Sequence, residues 1–259
     1  MDVSDKIIVV TGGASGIGEA MAERFIAEGA RHVVIADRAS DAVAAVAGRI
    51  GAAAMACDVT DEAAVEALID DTERRFGPID LFCANAGIGA PGGAEASNDA
   101  WQAIWEVNVM AHVYAARHLI PRMTERGGGH LLFTASAAGL LTNLGTAPYS
   151  VTKHAAVGFA EWIAISHADD GIGVSCLCPQ GVRTPMILGA SDDPSVQAVV
   201  AQGAIDPAEC AQAVVDGLAA ETFLILPHPE VARYFQNKAN DYDRWIGGMQ
   251  RLNRQFSGG

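Results

Sequence analysis

The sequence predicts an α/β protein, a single domain over residues 1–259 built on a doubly wound, seven-stranded parallel sheet. Short runs rich in β-branched residues alternate with longer Ala-rich stretches, which is the pattern of successive βαβ units. The predicted strands are apolar throughout, as expected when helices cover both faces of a sheet. Half of the 259 residues are hydrophobic, so the chain can bury a sizeable core in one domain.

Seven strands and their connecting helices are predicted in order along the chain. KIIVVT, HVVIAD and AAAMAC form the first three strands, and helices follow them at residues 17–28, 39–50 and 61–76. LFCANAG, HLLFTAS, GVSCLC and FLILP form the other four, and helices at residues 97–126, 148–168 and 207–220 connect them. A helical crossover between successive strands makes the sheet parallel.

Two segments lie outside this alternation. Residues 183–206 are rich in Gly, Ser, Asp and Pro and follow the sixth strand, where ligands of open parallel sheets bind, so they form either a lid or a structureless connector. Residues 229–259 are predicted to form a helical tail whose apolar stripe has 3-4-3-4 spacing: Tyr242, Trp245, Met249, Leu252 and Phe256. That stripe packs on its own domain, or it reaches a neighbouring subunit or the mouth of the site.

Charge and cysteine content exclude several classes of protein. A net charge of −14 and a pI near 4.7 argue against a nucleic-acid partner. The amino terminus has no basic region and only a short apolar run, so we expect a cytoplasmic enzyme with no signal peptide and no membrane span. The sequence predicts neither a disulfide framework nor a metal site, because no C-x-x-C pair occurs among Cys57, Cys83, Cys176, Cys178 and Cys210.

The stretch TGGASGIG follows the first predicted strand directly and opens a helix. Its glycines allow a tight turn and close approach of a ligand, and the helix amino terminus offers unpaired N–H groups to a pyrophosphate. A nucleotide-hydrolysing phosphate loop would need Lys-Ser/Thr after the last glycine, which this chain lacks. The predicted contacts to a dinucleotide cofactor in this loop are Gly12, Ser15, Gly16, Ile17 and Gly18.

Acidic residues at the ends of the second and third strands bear on the choice of cofactor. Asp37 can accept hydrogen bonds from the adenosine ribose, and its charge would repel a 2′-phosphate, which favours NAD over NADP. Arg38 is the counterweight, because a guanidinium there could bind that phosphate. Asp58 either binds the adenine amine or caps the helix that begins near Thr60.

The stretch YSVTK places Tyr149 and Lys153 one helical turn apart on the same face. A tyrosine that acts as a base at neutral pH needs its pKa lowered by about 2–3 units, which is roughly 3–4 kcal/mol. One cation about 4 Å away supplies on the order of 4 kcal/mol at an effective dielectric constant of 20, so one lysine is sufficient. Ser136 ends the fifth strand at the same edge of the sheet, where its hydroxyl could hold a substrate oxygen.

In the order and spacing of its motifs, nearly the whole chain resembles the short-chain dehydrogenase/reductase family. The matching elements are TGGASGIG, Asp37, Asp58-Val59, Asn85-Ala86-Gly87, Asn108 in WEVNVMA, Ser136, YSVTK and PQGVRT. The resemblance implies a Rossmann fold and a catalytic tetrad of Asn108, Ser136, Tyr149 and Lys153. Tyr149 would exchange a proton with the substrate and Ser136 would orient the substrate oxygen.

The resemblance also implies that Lys153 lowers the pKa of Tyr149 and binds the nicotinamide ribose, while Asn108 holds a water that relays the proton. Alternatively, Asn108 marks a local kink in its helix or serves in packing. The resemblance extends the cofactor contacts to Asp58, Val59, Asn85, Ala86, Gly87, Tyr149, Lys153, Pro179, Val182 and Thr184. The chain departs from the family at Gln180, which intervenes between Pro179 and the glycine and either contacts substrate or turns to solvent.

Small or apolar residues follow both Ser136 and the Asn85-Ala86-Gly87 turn, and such segments line the substrate pocket in this family. We therefore expect an NAD-dependent dehydrogenase or reductase of a hydrophobic secondary alcohol or ketone. The alternatives are an NADPH-dependent 3-oxoacyl-thioester reductase and a non-catalytic NAD(H)-sensing protein. The resemblance also implies a homotetramer, or less often a dimer, packed through the helices at 97–126 and 148–168.

Overall fold

Seven parallel strands form one sheet in the computed structural model, which describes residues 1–189 and 203–257. The spatial order is β3-β2-β1-β4-β5-β6-β7, so the winding direction reverses between β1 and β4. The strands are β1 (Ile7–Thr11), β2 (His32–Asp37), β3 (Ala53–Ala56), β4 (Leu81–Ala84), β5 (Gly129–Thr134), β6 (Ile172–Leu177) and β7 (Leu224–Ile225). The predicted fold class is confirmed, and the reversal makes a crevice at the carboxyl ends of β1 and β4.

Helices cover both faces of this sheet. They are α1 (Gly16–Ala27), α2 (Ser40–Ile50), α3 (Glu62–Phe76), α4 (Asn98–Trp105), α5 (Ala111–Glu125), α6 (Ala147–Ser166), α7 (Pro185–Leu188), α8 (Pro207–Ala219), α9 (Glu230–Asn240) and α10 (Tyr242–Ser257). A π-helical turn at Glu106–Met110 joins α4 to α5, and short 3₁₀ turns lie at Ala137–Gly139 and Ala168–Asp170. No helix in the described ranges is both long and apolar enough to cross a membrane.

The core consists of two apolar layers, one on each face of the sheet. Ile8 and Val10 of β1 join a cluster with α1, α2 and α8, while Val9 between them joins a cluster with α3, α5 and α6. Successive side chains of a strand point to opposite faces, so burial on both faces explains why the strands read as unbroken apolar runs.

The structure differs from the prediction in the type of helix found between residues 97 and 126. The long helical region expected at 97–126 is interrupted by the π-helical turn, which accommodates one extra residue in the hydrogen-bonded turn. Ser97 caps the start of α4, since its hydroxyl accepts the Ala100 N–H at 3.2 Å. The turn places Asn108, which is fully buried, at the point where α5 begins to pack on the sheet.

The carboxyl-terminal tail forms α9 and α10, with Val231 of α9 buried in the core. In the apolar stripe of α10, Trp245, Met249 and Leu252 are half-buried, and Tyr242 is 58% exposed. Helix α10 continues through Gly247-Gly248 without interruption. The side chain of Phe256, which the stripe also includes, lies outside the described part of the chain.

Most of the predicted lid also lies outside the described residues, which resume at residue 203. The ends of this segment lie side by side, because Val182 pairs with Ile205 in a parallel bridge. Arg183 also forms an ion pair with Asp206, with Nε and Oδ1 2.8 Å apart. These contacts join the two ends of the segment at the edge of the sheet.

Candidate active site

The glycine loop turns between β1 and α1 with its backbone too closely packed for side chains. Gly12 and Gly16 have φ values of 66° and 59°, in the left-handed region that favours glycine. A Cβ on Gly18 would lie 2.2 Å from the Gly12 carbonyl oxygen, and one on Gly12 would lie 2.9 Å from Ala86 Cα. Helix α1 begins at Gly16, with Ser15 exposed and extended before it, so the first N–H groups of the helix are at the loop.

Asp37 lies at the carboxyl end of β2, beside this loop. Its carboxylate accepts the backbone N–H of Ala14 at 3.3 Å and that of Ala39 at 3.2 Å. Arg38, the next residue, is exposed. The carboxylate therefore helps to hold the glycine loop in place.

Asp58 does not cap a helix, so that alternative was wrong. The side chain of Asp61 caps α3 by accepting the Ala63 N–H, and α3 starts three residues later than a cap at Asp58 would require. Asp58 is exposed, and its Oδ1 accepts hydrogen bonds from the N–H and the hydroxyl of Thr60. These bonds, with a smaller contribution from the charge of Arg38, hold the pKa of Asp58 below its usual value. Val59 beside it packs against the core.

Asn85 connects the ends of three strands. Its backbone N–H donates to the Thr11 hydroxyl at 3.0 Å and its side-chain Nδ2 donates to the Thr11 carbonyl at 2.9 Å. Its Oδ1 accepts the hydroxyl of Thr134 at 3.1 Å, and the Ala86 N–H also donates to the Thr11 hydroxyl. This network holds the Asn85-Ala86-Gly87 turn against the glycine loop.

Asn108 uses its side chain to hold the chain that follows this turn. Its Oδ1 accepts the Ile88 N–H at 2.9 Å, and its Nδ2 donates to the Ile88 carbonyl at 3.0 Å and to the Thr152 hydroxyl at 3.2 Å. The packing alternative considered from sequence thus describes its side chain well. A Cβ on Gly87 would lie 3.4 Å from both Asn108 Oδ1 and Lys153 Nζ, so these two side chains meet at the turn.

Ser136 and Tyr149 lie together beyond β5. Burial raises the pKa of Tyr149, while a hydrogen bond with the Ser136 side chain lowers it by less. The Ser136 hydroxyl also accepts the Ala138 N–H at 3.1 Å and lies 3.4 Å from the Pro179 carbonyl. The pKa of Tyr149 is therefore raised overall, whereas the sequence predicts that it is lowered. The desolvation of the buried phenol outweighs its hydrogen bond with Ser136.

Lys153 is buried beside the tyrosine ring. Its Nζ lies 5.6 Å from the centroid of the Tyr149 ring and donates to the carbonyl of Thr134 at 3.0 Å. Burial lowers the pKa of Lys153 to about 8. The structure therefore brings Asn108, Ser136, Tyr149 and Lys153 to one edge of the sheet, next to the glycine loop.

The loop after β6 covers this edge. Val182 and Thr184 are buried, and a Cβ on Gly16 would lie 3.0 Å from Thr184 Cγ2, so this loop packs against the glycine loop. Gln180, half-buried, donates its backbone N–H to His228 Nδ1 at 3.2 Å. The other ring nitrogen of His228 lies 3.1 Å from the Gly181 carbonyl, which fixes a proton on that nitrogen.

Several buried polar residues near this edge are not predicted from the sequence, His228 among them. His112 is fully buried, and neither ring nitrogen has a hydrogen-bond partner among the described residues, although the Ala84 carbonyl faces the ring. Burial and then the charge of Lys153 lower the pKa of His112 to about 3. Its position four residues after Asn108, on the same helix face, was the only available signal. Lys238 and His154 were missed as well.

Comparisons with known proteins agree with this geometry. A model of the short chain dehydrogenase family matches residues 6–194. The chain is 34% identical to 1-deoxy-11-beta-hydroxypentalenate dehydrogenase of Streptomyces avermitilis, over 95% of this chain and 93% of that protein. It is 36% identical to meso-2,3-butanediol dehydrogenase of Serratia marcescens, over 73% of this chain and 76% of that protein.

A solved structure is similar over almost the same length. It is a short chain dehydrogenase/reductase from Burkholderia phymatum in complex with NAD, 29% identical, with a TM-score of 0.86 over 94% of this chain and 96% of that one. The family model, the relatives and this structure agree on both the fold and the class of enzyme. The chain therefore belongs to the short-chain dehydrogenase/reductase family of oxidoreductases, which use a nicotinamide cofactor.

Proposed function

We propose that this protein moves a hydride between NAD(H) and a hydrophobic secondary alcohol or its ketone. The observation that carries the proposal is the cluster of Ser136, Tyr149 and Lys153, in which a phenol hydrogen-bonded to a hydroxyl lies 5.6 Å (ring centroid) from a buried ammonium. A protein that only senses the cofactor does not need these three groups together.

The residues at the crevice fit a nicotinamide dinucleotide. The glycine loop packs so closely on its neighbours that Cβ atoms do not fit, and the first N–H groups of α1 lie at this loop, where a bound pyrophosphate would accept them. Lys153 donates one of its three N–H groups to Thr134, and the others suit ribose hydroxyls. Val182 and Thr184 lie beyond β6, where they suit the carboxamide end of the cofactor, with Pro179 before them.

Asp37 supports NAD over NADP, because its carboxylate at the end of β2 would oppose a 2′-phosphate. One observation favours the alternative, an NADPH-dependent reductase such as one acting on 3-oxoacyl thioesters. Arg38 is exposed and close enough to Asp58 for its charge to lower the pKa of that carboxyl, so its guanidinium could bind the 2′-phosphate of NADPH. The ratio of activities with the two cofactors decides between them.

In this mechanism the bound nicotinamide supplies or accepts the hydride, and the protein handles the proton. Burial keeps Tyr149 protonated, so its hydroxyl can donate to a ketone oxygen that Ser136 orients. In the direction of alcohol oxidation, Tyr149 first loses its proton, the ammonium of Lys153 stabilises the resulting phenolate, and the phenolate then takes the proton of the alcohol. Asn108 acts by holding Ile88 and the turn beside Lys153, and a water on that turn completes the proposed relay.

The substrate class rests on the walls around these residues. Ala137, Ala138 and Leu140 are buried beyond Ser136, and Ile88 and Ala90 are half-buried beyond the turn after β4. Two of the relatives are named as dehydrogenases of hydroxylated compounds, a pentalenate and a butanediol. An apolar wall beside a polar acid-base cluster suits a secondary alcohol on an apolar skeleton.

We also propose that the protein works in the cytoplasm as a homotetramer, or else as a dimer. Helix α6 presents Trp162 and Ile165 on its surface, 58% and 79% exposed, and Trp105 of α4 is exposed as well. Large apolar side chains on neighbouring helices suit an interface between subunits. Light scattering after size-exclusion chromatography tests this, and a monomer at micromolar concentration contradicts it.

Initial rates with NADH and NADPH on a panel of apolar ketones test the function. Tyr149→Phe is expected to bind NADH normally but to lose at least about 1,000-fold in kcat, since the proposed proton donor is removed. Tyr234→Phe, at a half-buried tyrosine on α9, is the matched control and keeps full activity. Near-normal turnover in Tyr149→Phe would refute the mechanism. Tight NADH binding by the wild type without turnover on any ketone would favour a protein that only senses the cofactor.

A further inference from the structure

A buried lysine from the carboxyl-terminal tail lies behind the active site. Lys238 of α9 is 8% exposed. Its Nζ lies 2.7 Å from the Leu140 carbonyl, 3.2 Å from the Leu141 carbonyl and 3.5 Å from His154 Nε2. Buried lysines are rare, because the ammonium loses its hydration unless protein groups replace it.

The protonation of His154 matches this arrangement. Its Nδ1 lies 2.8 Å from the Ser150 carbonyl, which can only accept, so Nδ1 carries the proton. Nε2 then has a lone pair that faces the ammonium. The three N–H groups of Lys238 thus meet three uncharged acceptors, two carbonyl oxygens and one ring nitrogen. The Tyr242 ring, with its centroid 5.5 Å from Nζ, lies on the ammonium as well.

These acceptors lie on the two segments that carry the acid-base residues. Leu140 and Leu141 end the turn that starts at Ser136, and the Leu140 and Leu141 N–H groups both donate to the Ala137 carbonyl. His154 follows Lys153 directly on α6. One side chain from the tail, 98 residues beyond Leu140, therefore holds the pocket wall and the catalytic helix together.

We propose that Lys238 is a positioning residue that sets the affinity for the substrate by fixing residues 137–143 against α6. The inference rests on the proposed function, in which that segment is a wall of the substrate pocket. Most of the cofactor site is built from other elements, namely the glycine loop, the ends of β1, β2 and β4 and the loop after β6. Lys153 of α6 is held by its own hydrogen bond to the Thr134 carbonyl, so NADH binding does not depend on the Lys238 contact. The tail thereby takes part in the active site without touching the reacting atoms.

The test uses Lys238→Met, which keeps the length of the side chain and removes its three donors. Arg233→Met removes one positive charge from an exposed position on the same helix and is the matched control. Lys238→Arg restores a charged donor and tests for rescue. Each purified full-length variant is assayed for KM and kcat with cyclohexanol and NAD, for NADH Kd by fluorescence, and for amide hydrogen exchange of peptides covering 137–146.

For Lys238→Met we expect amide exchange in 137–146 to rise by about 10-fold, since charged hydrogen bonds are lost. KM for cyclohexanol rises by about 10-fold, whereas kcat and NADH Kd change by less than about 3-fold. Lys238→Arg recovers most of the change, and Arg233→Met shows none. Parallel losses in kcat and in NADH binding would mean that Lys238 only stabilises the fold, and this would overturn the proposal.

The proposed substrate class and the positioning role of Lys238 are refuted by different results. If the wild type does not oxidise cyclohexanol but Lys238→Met still exchanges faster at 137–146, the substrate class is wrong and the positioning contact stands. If exchange at 137–146 is unchanged in a folded Lys238→Met, the positioning role is refuted whatever the activity. Should Lys238→Met not fold, Lys238→Gln carries the test, because its uncharged amide offers two donors and not three to these acceptors and should raise KM alone.

Discussion

Replacement of Asn108 by alanine separates its role in the fold from any role in proton transfer. The substitution removes three hydrogen bonds at a fully buried position, those to the N–H and carbonyl of Ile88 and to the hydroxyl of Thr152. Asn108 lies in the π-helical turn, and its bonds attach that turn to the chain following β4.

The expected loss of stability follows from these contacts. A hydrogen bond contributes about 1 kcal/mol net, and a buried group left unsatisfied costs about 1–3 kcal/mol, so three bonds suggest a loss of about 3–4 kcal/mol. That is a large fraction of the roughly 5–15 kcal/mol that stabilises a typical domain. For a chain of this size it corresponds to a decrease in Tm of about 6–16 °C.

Urea unfolding followed by circular dichroism measures this difference. Asn237→Ala, at an exposed position on α9, is the control and is expected to stay within about 0.5 kcal/mol of the wild type. A loss below about 1 kcal/mol in Asn108→Ala would show that the three bonds are not made in solution. The reasoning would then fail, and Asn108 would matter through a bound water alone.

Three further outcomes are expected. Gly18→Ala places a Cβ 2.2 Å from the Gly12 carbonyl oxygen, so titration should show NADH Kd raised by at least about 30-fold, from overpacking of about 2 kcal/mol or more. Asp37→Ala should shift the ratio of kcat/KM for NADP over NAD upward by about 10-fold or more, as a repulsion of about 1.4 kcal/mol is removed; an unchanged ratio contradicts the assignment. Because burial lowers the pKa of His112 to about 3, the unfolded chain binds more protons below pH 6.5, and stability is lost as pH falls towards 3. Between pH 7 and pH 5 this loss is about 2 kcal/mol, and urea unfolding of His112→Phe should show it reduced.

The sequence alone was sufficient for the architecture and most of the crevice. Alternating apolar and Ala-rich runs predicted the parallel sheet, because burial on both faces imposes that pattern on neighbouring residues. The glycine loop, Asp37 and the spacing of Tyr149 and Lys153 were also readable, since each depends on contacts within a few residues or on the ends of adjacent strands.

Only the tertiary structure decided how these groups are held and charged. Asn108 forms hydrogen bonds with Ile88, 20 residues away in sequence, and Lys238 forms one with the Leu140 carbonyl, 98 residues away. No local sequence pattern therefore predicts either contact. The pKa of Tyr149 is raised although a lysine lies one turn away, because the desolvation of the phenol outweighs its stabilising contact. Spacing along a helix depends on neighbouring residues, whereas burial and long-range hydrogen bonds depend on how distant segments pack together.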